Sequence, residues 1–216
     1  MRIKHIVFDL MGVIIEEPHI ITNVLFPELK SKGYECDYKR IKELYKLYSI
    51  GAITKEEFWN KLKIKVGVGE SIEKEAFNKL RIDNEFNTTI QELKRRGYEV
   101  GILTDMPKEW ALFFIDKYDL KEHFNPIIIS SDYRMDKSQK EMFNKYCEII
   151  KREPEHCIMI DDRIRVLKNA SCVGFRTVWY KKEEQNDEED NKQEEQEGFK
   201  PDITITRLRE ILKVLK

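Results

Sequence analysis

The feature that most constrains this chain is a rhythm. Short apolar runs recur at 3–9, 98–103 ("YEVGIL"), 126–130 ("PIIIS"), 157–160 ("CIMI"), 175–180 ("FRTVWY") and 203–205 ("ITI"). Each is too short for a helix and rich in β-branched residues, which reads as a buried strand. Between them lie segments with readable helix ends. One begins near Asn87 and is followed by Gly97, and another follows Pro107, a good first-turn residue. Ser138 and Glu141 spell an S-x-x-E capping box for a third. A fourth covers 164–173 and stops at Gly174. The last begins around Thr206 and sets Leu208, Ile211, Leu212 and Leu215 on one face. Strands alternating with helices in this way predict an α/β protein: a three-layer, Rossmann-like core with a parallel sheet and helices on both faces.

Residues 16–84 break the rhythm, because they contain no convincing strand. "IKELYKLY" (41–48) is amphipathic. "GAITKEEFWNKL" (51–62) is a turn followed by a capping box, Thr54 with Glu57, and then Phe58, Trp59 and Leu62 on one face. "SIEKEAFNKL" (71–80) is a third helical segment. The expected organisation is therefore a core of 1–15 and 85–216 with a small all-helical insertion at 16–84. Phe58, Trp59 and Tyr48 read as the core of that insertion rather than as substrate contacts, and Trp110 is kept out of the site.

Composition excludes several roles. The formal net charge is -1 although 37% of residues are charged, so no global field recruits nucleic acid or an acidic membrane. The four cysteines (Cys36, Cys147, Cys157, Cys172) form no C-x-x-C pair, and His5, His19, His123 and His156 are scattered, which speaks against zinc and a Ser/His triad. No apolar run reaches membrane-spanning length, and the N-terminus enters a strand without a signal-peptide layout. The expectation is a cytoplasmic protein with no nucleic acid or membrane partner. Residues 183–197 hold nine acidic residues, one lysine and no apolar anchor, so 183–198 is expected to form a mobile acidic surface loop.

In an open parallel sheet, ligands bind beyond the carboxyl ends of the strands. Asp9 stands after the first strand, and Thr104 with Asp105 after the second. Ser130, Ser131 and Asp132 follow the third, with Lys137 just ahead of the next helix, and Asp161-Asp162 follow the fourth. Paired carboxylates suit a hard cation such as Mg²⁺. A lysine and a hydroxyl suit a phosphate. Together with a carboxylate nucleophile these make a phosphoryl-transfer site. The three residues 130–132 read as ordinary loop, and Asp161-Asp162 also suit a helix cap.

Four segments in this order resemble the haloacid dehalogenase (HAD) superfamily of hydrolases: "VFDLMGV", "GILTD", "MDKSQKEMF" and "IMIDDRIRVLKNASCVGFRTVWY". The resemblance covers nearly the whole chain. It implies that 16–84 is the family's helical cap, to which "GAITKEEFW" is similar. It further implies catalytic roles for Asp9, Thr104 and Lys137. Asp9 would attack phosphorus and carry an aspartyl-phosphate, while Thr104 and Lys137 would bind the phosphoryl group of a small phosphorylated substrate. Mg²⁺ would be held by Asp9, by the backbone carbonyl of Met11, by Asp162 and, less directly, by Asp161.

Met11 is a departure. Active phosphatases of this superfamily usually read D-x-D-G, and the second aspartate is the general acid and base. Here the text is Asp9-Leu10-Met11-Gly12. A thioether cannot transfer a proton, and such help is worth roughly 10²–10⁴ in rate. Leaving groups that depart unprotonated would suffer least. Three readings follow: an Mg²⁺-dependent phosphohydrolase with an atypical first motif, a non-catalytic binding protein on the same fold, or a metal-independent 2-haloacid dehalogenase. The last usually carries a tyrosine at that position and an arginine nearby, neither of which stands in residues 10–20.

Overall fold

The computed structural model describes residues 3–182 and 198–215; the acidic stretch 183–197 lies outside them. Its strands are β1 (His5–Phe8), β2 (Glu99–Thr104), β3 (Ile127–Ile129), β4 (Cys157–Asp161), β5 (Arg176–Tyr180) and β6 (Ile203–Ile205). They form one sheet in the order β3-β2-β1-β4-β5-β6, with every neighbouring pair parallel. Each run read as a strand forms one. The chain moves outward from β1 through β2 to β3, then returns to the other side of β1 as β4. That reversal opens a crevice at the carboxyl end of β1.

Between β1 and residue 84 the chain makes a π-helical stretch at Ile20–Leu25 and four helices: α1 (Phe26–Ser31), α2 (Tyr38–Ser49), α3 (Lys55–Lys61) and α4 (Val66–Asn78). It leaves and returns side by side. Asp83 N donates to Ile14 O at 2.8 Å, and Glu16 N donates to Arg81 O at 3.0 Å. The Thr54–Glu57 capping box forms in both directions, at 2.8 and 3.1 Å. α4 begins five residues ahead of the expected position 71. Gly67 and Gly69 lie within it, and Gly69 is there for packing: a Cβ on it would lie 2.2 Å from the Trp59 ring.

The remaining helices are α5 (Phe86–Arg95), α6 (Lys108–Lys117), α7 (Lys140–Ile150), α8 (Ile164–Val173) and the short α9 (Ile211–Val214). The pleat of each strand sends alternate side chains to opposite faces. Ile6, Phe8, Ile102, Ile158, Ile160 and Val178 pack with α5, α6 and α9 on one face. Val7, Leu103, Met159 and Trp179 pack with α7 and α8 on the other. This gives the three layers. Two helix starts differ from expectation. α7 has Gln139 at its cap without a capping box, because Asp136 accepts from both the backbone N and the Oγ of Ser138. The final helix is split into a turn at Leu208–Glu210 and α9.

The inserted helices share one apolar cluster with the sheet face beneath them. Trp110, from α6, is its centre. The rings of Tyr45, Tyr48, Phe58 and Phe77 lie 5.1–5.9 Å from it. A ring of this kind buries roughly 150–250 Å², worth about 4–6 kcal/mol before entropy is counted. Glu73, on α4, is buried there and accepts from Trp59 Nε1 at 2.8 Å and from Trp110 Nε1 at 2.7 Å. Lys117 donates to the carbonyls of Phe77, Asn78 and Leu80 at 2.9–3.0 Å, capping the end of α4 from α6. Tyr48, Phe58 and Trp59 are thus packing residues, as read. No helix among the described residues is long and apolar enough to cross a membrane.

Candidate active site

Ile6, Val7 and Phe8 are fully buried, which pins β1 and delivers Asp9 to the sheet's edge. Its backbone N donates to Ile160 O at 2.9 Å, locking it beside the end of β4. The turn that follows needs Gly12. Its φ is +77°, and a Cβ there would lie 2.2 Å from Asp162 Oδ2, so any side chain would push that carboxylate away. Met11 lies in the same turn, 8% exposed, within the main apolar cluster.

Lys137 is placed by the turn that displaced the expected capping box. Asp136 holds Ser138, and the chain between them directs Lys137 inward, where it is 0% exposed. Its backbone N donates to Asp105 Oδ1 at 3.0 Å. Its Nζ lies 2.7 Å from Asp9 Oδ1 and 2.6 Å from Asp161 Oδ2. One ammonium therefore bridges the ends of β1 and β4. Asp161 uses its other oxygen to accept from Arg163 N at 2.9 Å. Thr104 is buried at the last position of β2, on the other side of β1.

Carboxylate oxygens of Asp9, Asp161 and Asp162 all lie within 4.8 Å of one another, and all three residues are buried. Burial raises Asp9 to a pKa of about 6, with Lys137 opposing the shift. Burial, then the charges of Asp161 and Asp9, push Asp162 well above the usual carboxylate range. Burial also acts to raise Asp161, but Lys137 and Arg163 outweigh it and hold the group low. For Lys137, burial favours the neutral amine, yet Asp161 and Asp9 keep the ammonium above its ordinary value.

The fold brings together Asp9, Lys137, Asp161 and Asp162, with Thr104 on the adjacent strand. Ser130 instead donates to Ser49 O at 3.1 Å, and Asp132 pairs with Lys108 at 2.6 Å, so both serve the loop. Asp105, read with Thr104 at the end of the second strand but given no role, takes the Lys137 backbone N–H and pairs with Arg163 Nη2 at 3.3 Å. Arg163 was passed over. The signal was available, since a cation follows Asp161-Asp162 directly in the chain.

Three buried carboxylates (Asp9, Asp161, Asp162) thus meet at one point, with the Lys137 ammonium between two of them. An all-oxygen donor set of this kind suits Mg²⁺.

Residues 3–174 match the family model for haloacid dehalogenase-like hydrolases. The chain is 26% identical over 230 residues to pyrophosphatase PpaX of Bacillus cereus (strain G9842), covering 100% of this chain and 97% of that protein. A HAD-family enzyme of Bacteroides thetaiotaomicron, solved in complex with magnesium and inorganic phosphate, superposes with a TM-score of 0.69 at 22% identity, over 85% of this chain and 97% of that one. A HAD phosphatase from Thermococcus onnurineus superposes with a TM-score of 0.70 at 20% identity, over 99% and 98%.

Proposed function

The chain belongs to the haloacid dehalogenase-like hydrolase family, and on that premise we propose that it is a Mg²⁺-dependent phosphohydrolase acting on a small phosphorylated compound through an aspartyl-phosphate on Asp9. The observation that carries this reading is the cluster of three buried carboxylates, Asp9, Asp161 and Asp162, beside Lys137. A pyrophosphatase among the relatives and magnesium with phosphate in a structural neighbour point the same way.

In this reading Lys137 holds one oxygen of Asp9, which aims the other at phosphorus. Thr104 and Lys137 bind the transferring phosphoryl group. Asp9, Asp162 and the Met11 carbonyl hold Mg²⁺. Asp161 is the least available donor, because Lys137 and Arg163 already occupy its oxygens. Bound Mg²⁺ would supply charge neutralisation at the phosphoryl oxygens. Residues 16–84 form a helical cap over a core of 1–15 and 85–216, and closure of the cap excludes bulk water.

The test is turnover of p-nitrophenyl phosphate and acetyl phosphate, with Mg²⁺ and with EDTA. Turnover that needs Mg²⁺ and drops by at least about 10⁴ in Asp9→Asn supports the reading. Metal-independent release of chloride from 2-chloropropionate would replace it with a dehalogenase. A second reading rests on Met11, which supplies no proton: a binding protein would bind Mg²⁺ and phosphate and turn over neither substrate.

A further inference from the structure

Arg163 reaches across the mouth of the site. Its Nε lies 3.6 Å from Asp161 Oδ1 at the end of β4, and its Nη2 lies 3.3 Å from Asp105 Oδ2 beyond the end of β2. β1 lies between those two strands, so the guanidinium passes over the end of β1, where Asp9 stands. The Arg163 side chain is 32% exposed and that of Asp9 is 6% exposed, which makes the guanidinium the outer charge of the pair. Tyr45 descends from α2 to the same place. Its hydroxyl donates to Asp105 O at 3.4 Å and its ring stacks on Trp110 at 5.5 Å.

A group displaced in line by Asp9 departs away from Asp9, toward that mouth. An alkoxide departing there needs a proton. Met11 has none to give, the Tyr45 hydroxyl is directed to Asp105 O, and Asp105 and Asp161 are both paired with cations. Arginine stays charged at any working pH, so it is no acid, but its planar fork of donors stabilises an anion.

We propose that Arg163 receives the leaving group, and that the substrate is an anhydride of phosphoric acid, either an acyl phosphate or a diphosphate, rather than an alkyl phosphate ester. This rests on the phosphohydrolase reading above. In the first step a lone pair of the Asp9 carboxylate forms the new O–P bond. The P–O bond to the carboxylate or phosphate leaving group breaks, and its electron pair stays on the leaving oxygen as an anion beside Arg163. In the second step water forms an O–P bond and the Asp9–phosphorus bond breaks, returning its pair to Asp9. The protons of that water pass to inorganic phosphate and solvent.

The test compares acetyl phosphate and pyrophosphate with glycerol 3-phosphate, in Mg²⁺, for the wild type, Arg163→Met, Arg163→Lys and Met11→Asp. Wild-type kcat/KM should favour the anhydrides by about a hundredfold or more, the scale of a missing general acid. Arg163→Met should lower that preference at least about tenfold, with partial recovery in Arg163→Lys, and Met11→Asp should shift it toward the ester. Calorimetry gives a readout without turnover: pyrophosphate binding to Asp9→Asn should weaken about tenfold when Arg163→Met is added. Thermal melts identify a variant that fails to fold, in which case Arg163→Lys decides. Equal losses on both classes in Arg163→Met, or a wild type that hydrolyses the ester as well as the anhydrides, overturn this inference and leave the phosphohydrolase reading intact. Absence of any Asp9-dependent turnover overturns both.

Discussion

The buried carboxylate of Glu73 and the buried carboxylates at the end of β1 are accommodated in opposite ways. Glu73 lies between α4 and α6, and one of its oxygens accepts from two indole N–H groups. Lys55 stands 3.9 Å from the other oxygen. That is a single charge held mostly by neutral donors, and it ties the inserted helices to the sheet layer. At the end of β1 three carboxylates instead converge within 4.8 Å of one another, where the strand order reverses. A carboxylate that ties helices together is held singly, whereas carboxylates gathered at one point repel one another unless a cation joins them. Glu73 and Asp9 both have raised pKa values through burial, so the shift alone does not separate them; the partners do.

Lys137→Ala should have the largest effect. It strands Asp9 and Asp161 without their shared ammonium, which costs about 3–5 kcal/mol when a buried ion loses its partner. Thermal or urea unfolding measures it. Because the lost charge is electrostatic, Mg²⁺ should restore part of that stability, whereas activity should stay lost. Recovery by NaCl alone would show that the clustering of carboxylates is unimportant.

Glu73→Leu comes next. It orphans two buried indole N–H groups, at about 1–3 kcal/mol each. Mg²⁺ should recover none of it. Glu73→Gln keeps an oxygen for both indoles and should cost about 1 kcal/mol or less. If the Gln variant were as unstable as the Leu variant, the carboxylate would be needed for its charge, and the contrast between the two clusters would fail. The emission of Trp59 and Trp110 offers a second, local readout.

The third effect is in pH. Asp9 is raised from 3.8 to about 6 by burial, so the folded state binds its proton more tightly than the unfolded state does. Ionising Asp9 therefore weakens folding. The penalty is absent below about pH 4, grows through the window between 4 and 6, and is complete above about 6. In metal-free protein, stability relative to Asp9→Asn should fall across that window. Mg²⁺ should move the window to lower pH, because a cation favours the ionised carboxylate. A difference that rises with pH without metal would contradict the burial argument.

Much of this was legible in the sequence. All six strands were readable, because a parallel sheet covered on both faces demands continuous apolar runs, and such runs survive in one dimension. Asp9, Thr104 and Asp161-Asp162 stand at strand ends, where an open parallel sheet gathers ligands, whereas Lys137 lies eight positions beyond β3 and reaches the cluster only through its loop. Helix starts were less so. Ser138 and Glu141 have the spacing of a capping box, but Asp136 captured Ser138, and that competition is decided by the loop that carries Lys137 inward. The start of α4 lies five residues ahead of the expected one, and Gly69 within it answers to the Trp59 ring rather than to helix propensity.

What the sequence determined by itself was local and periodic: which runs are strands, which acids stand at their ends, and that position 11 carries no proton donor. What only the tertiary structure decided was how charges far apart in the chain meet. Asp105 and Arg163 are separated by 58 positions, yet they close over Asp9 because β1 lies between their strands. Glu73 finds Trp110 37 positions away because α4 packs on α6. Strand order and helix packing set those pairings, and neither leaves a periodic trace in the sequence, because electrostatic partnership depends on distance in space rather than along the chain.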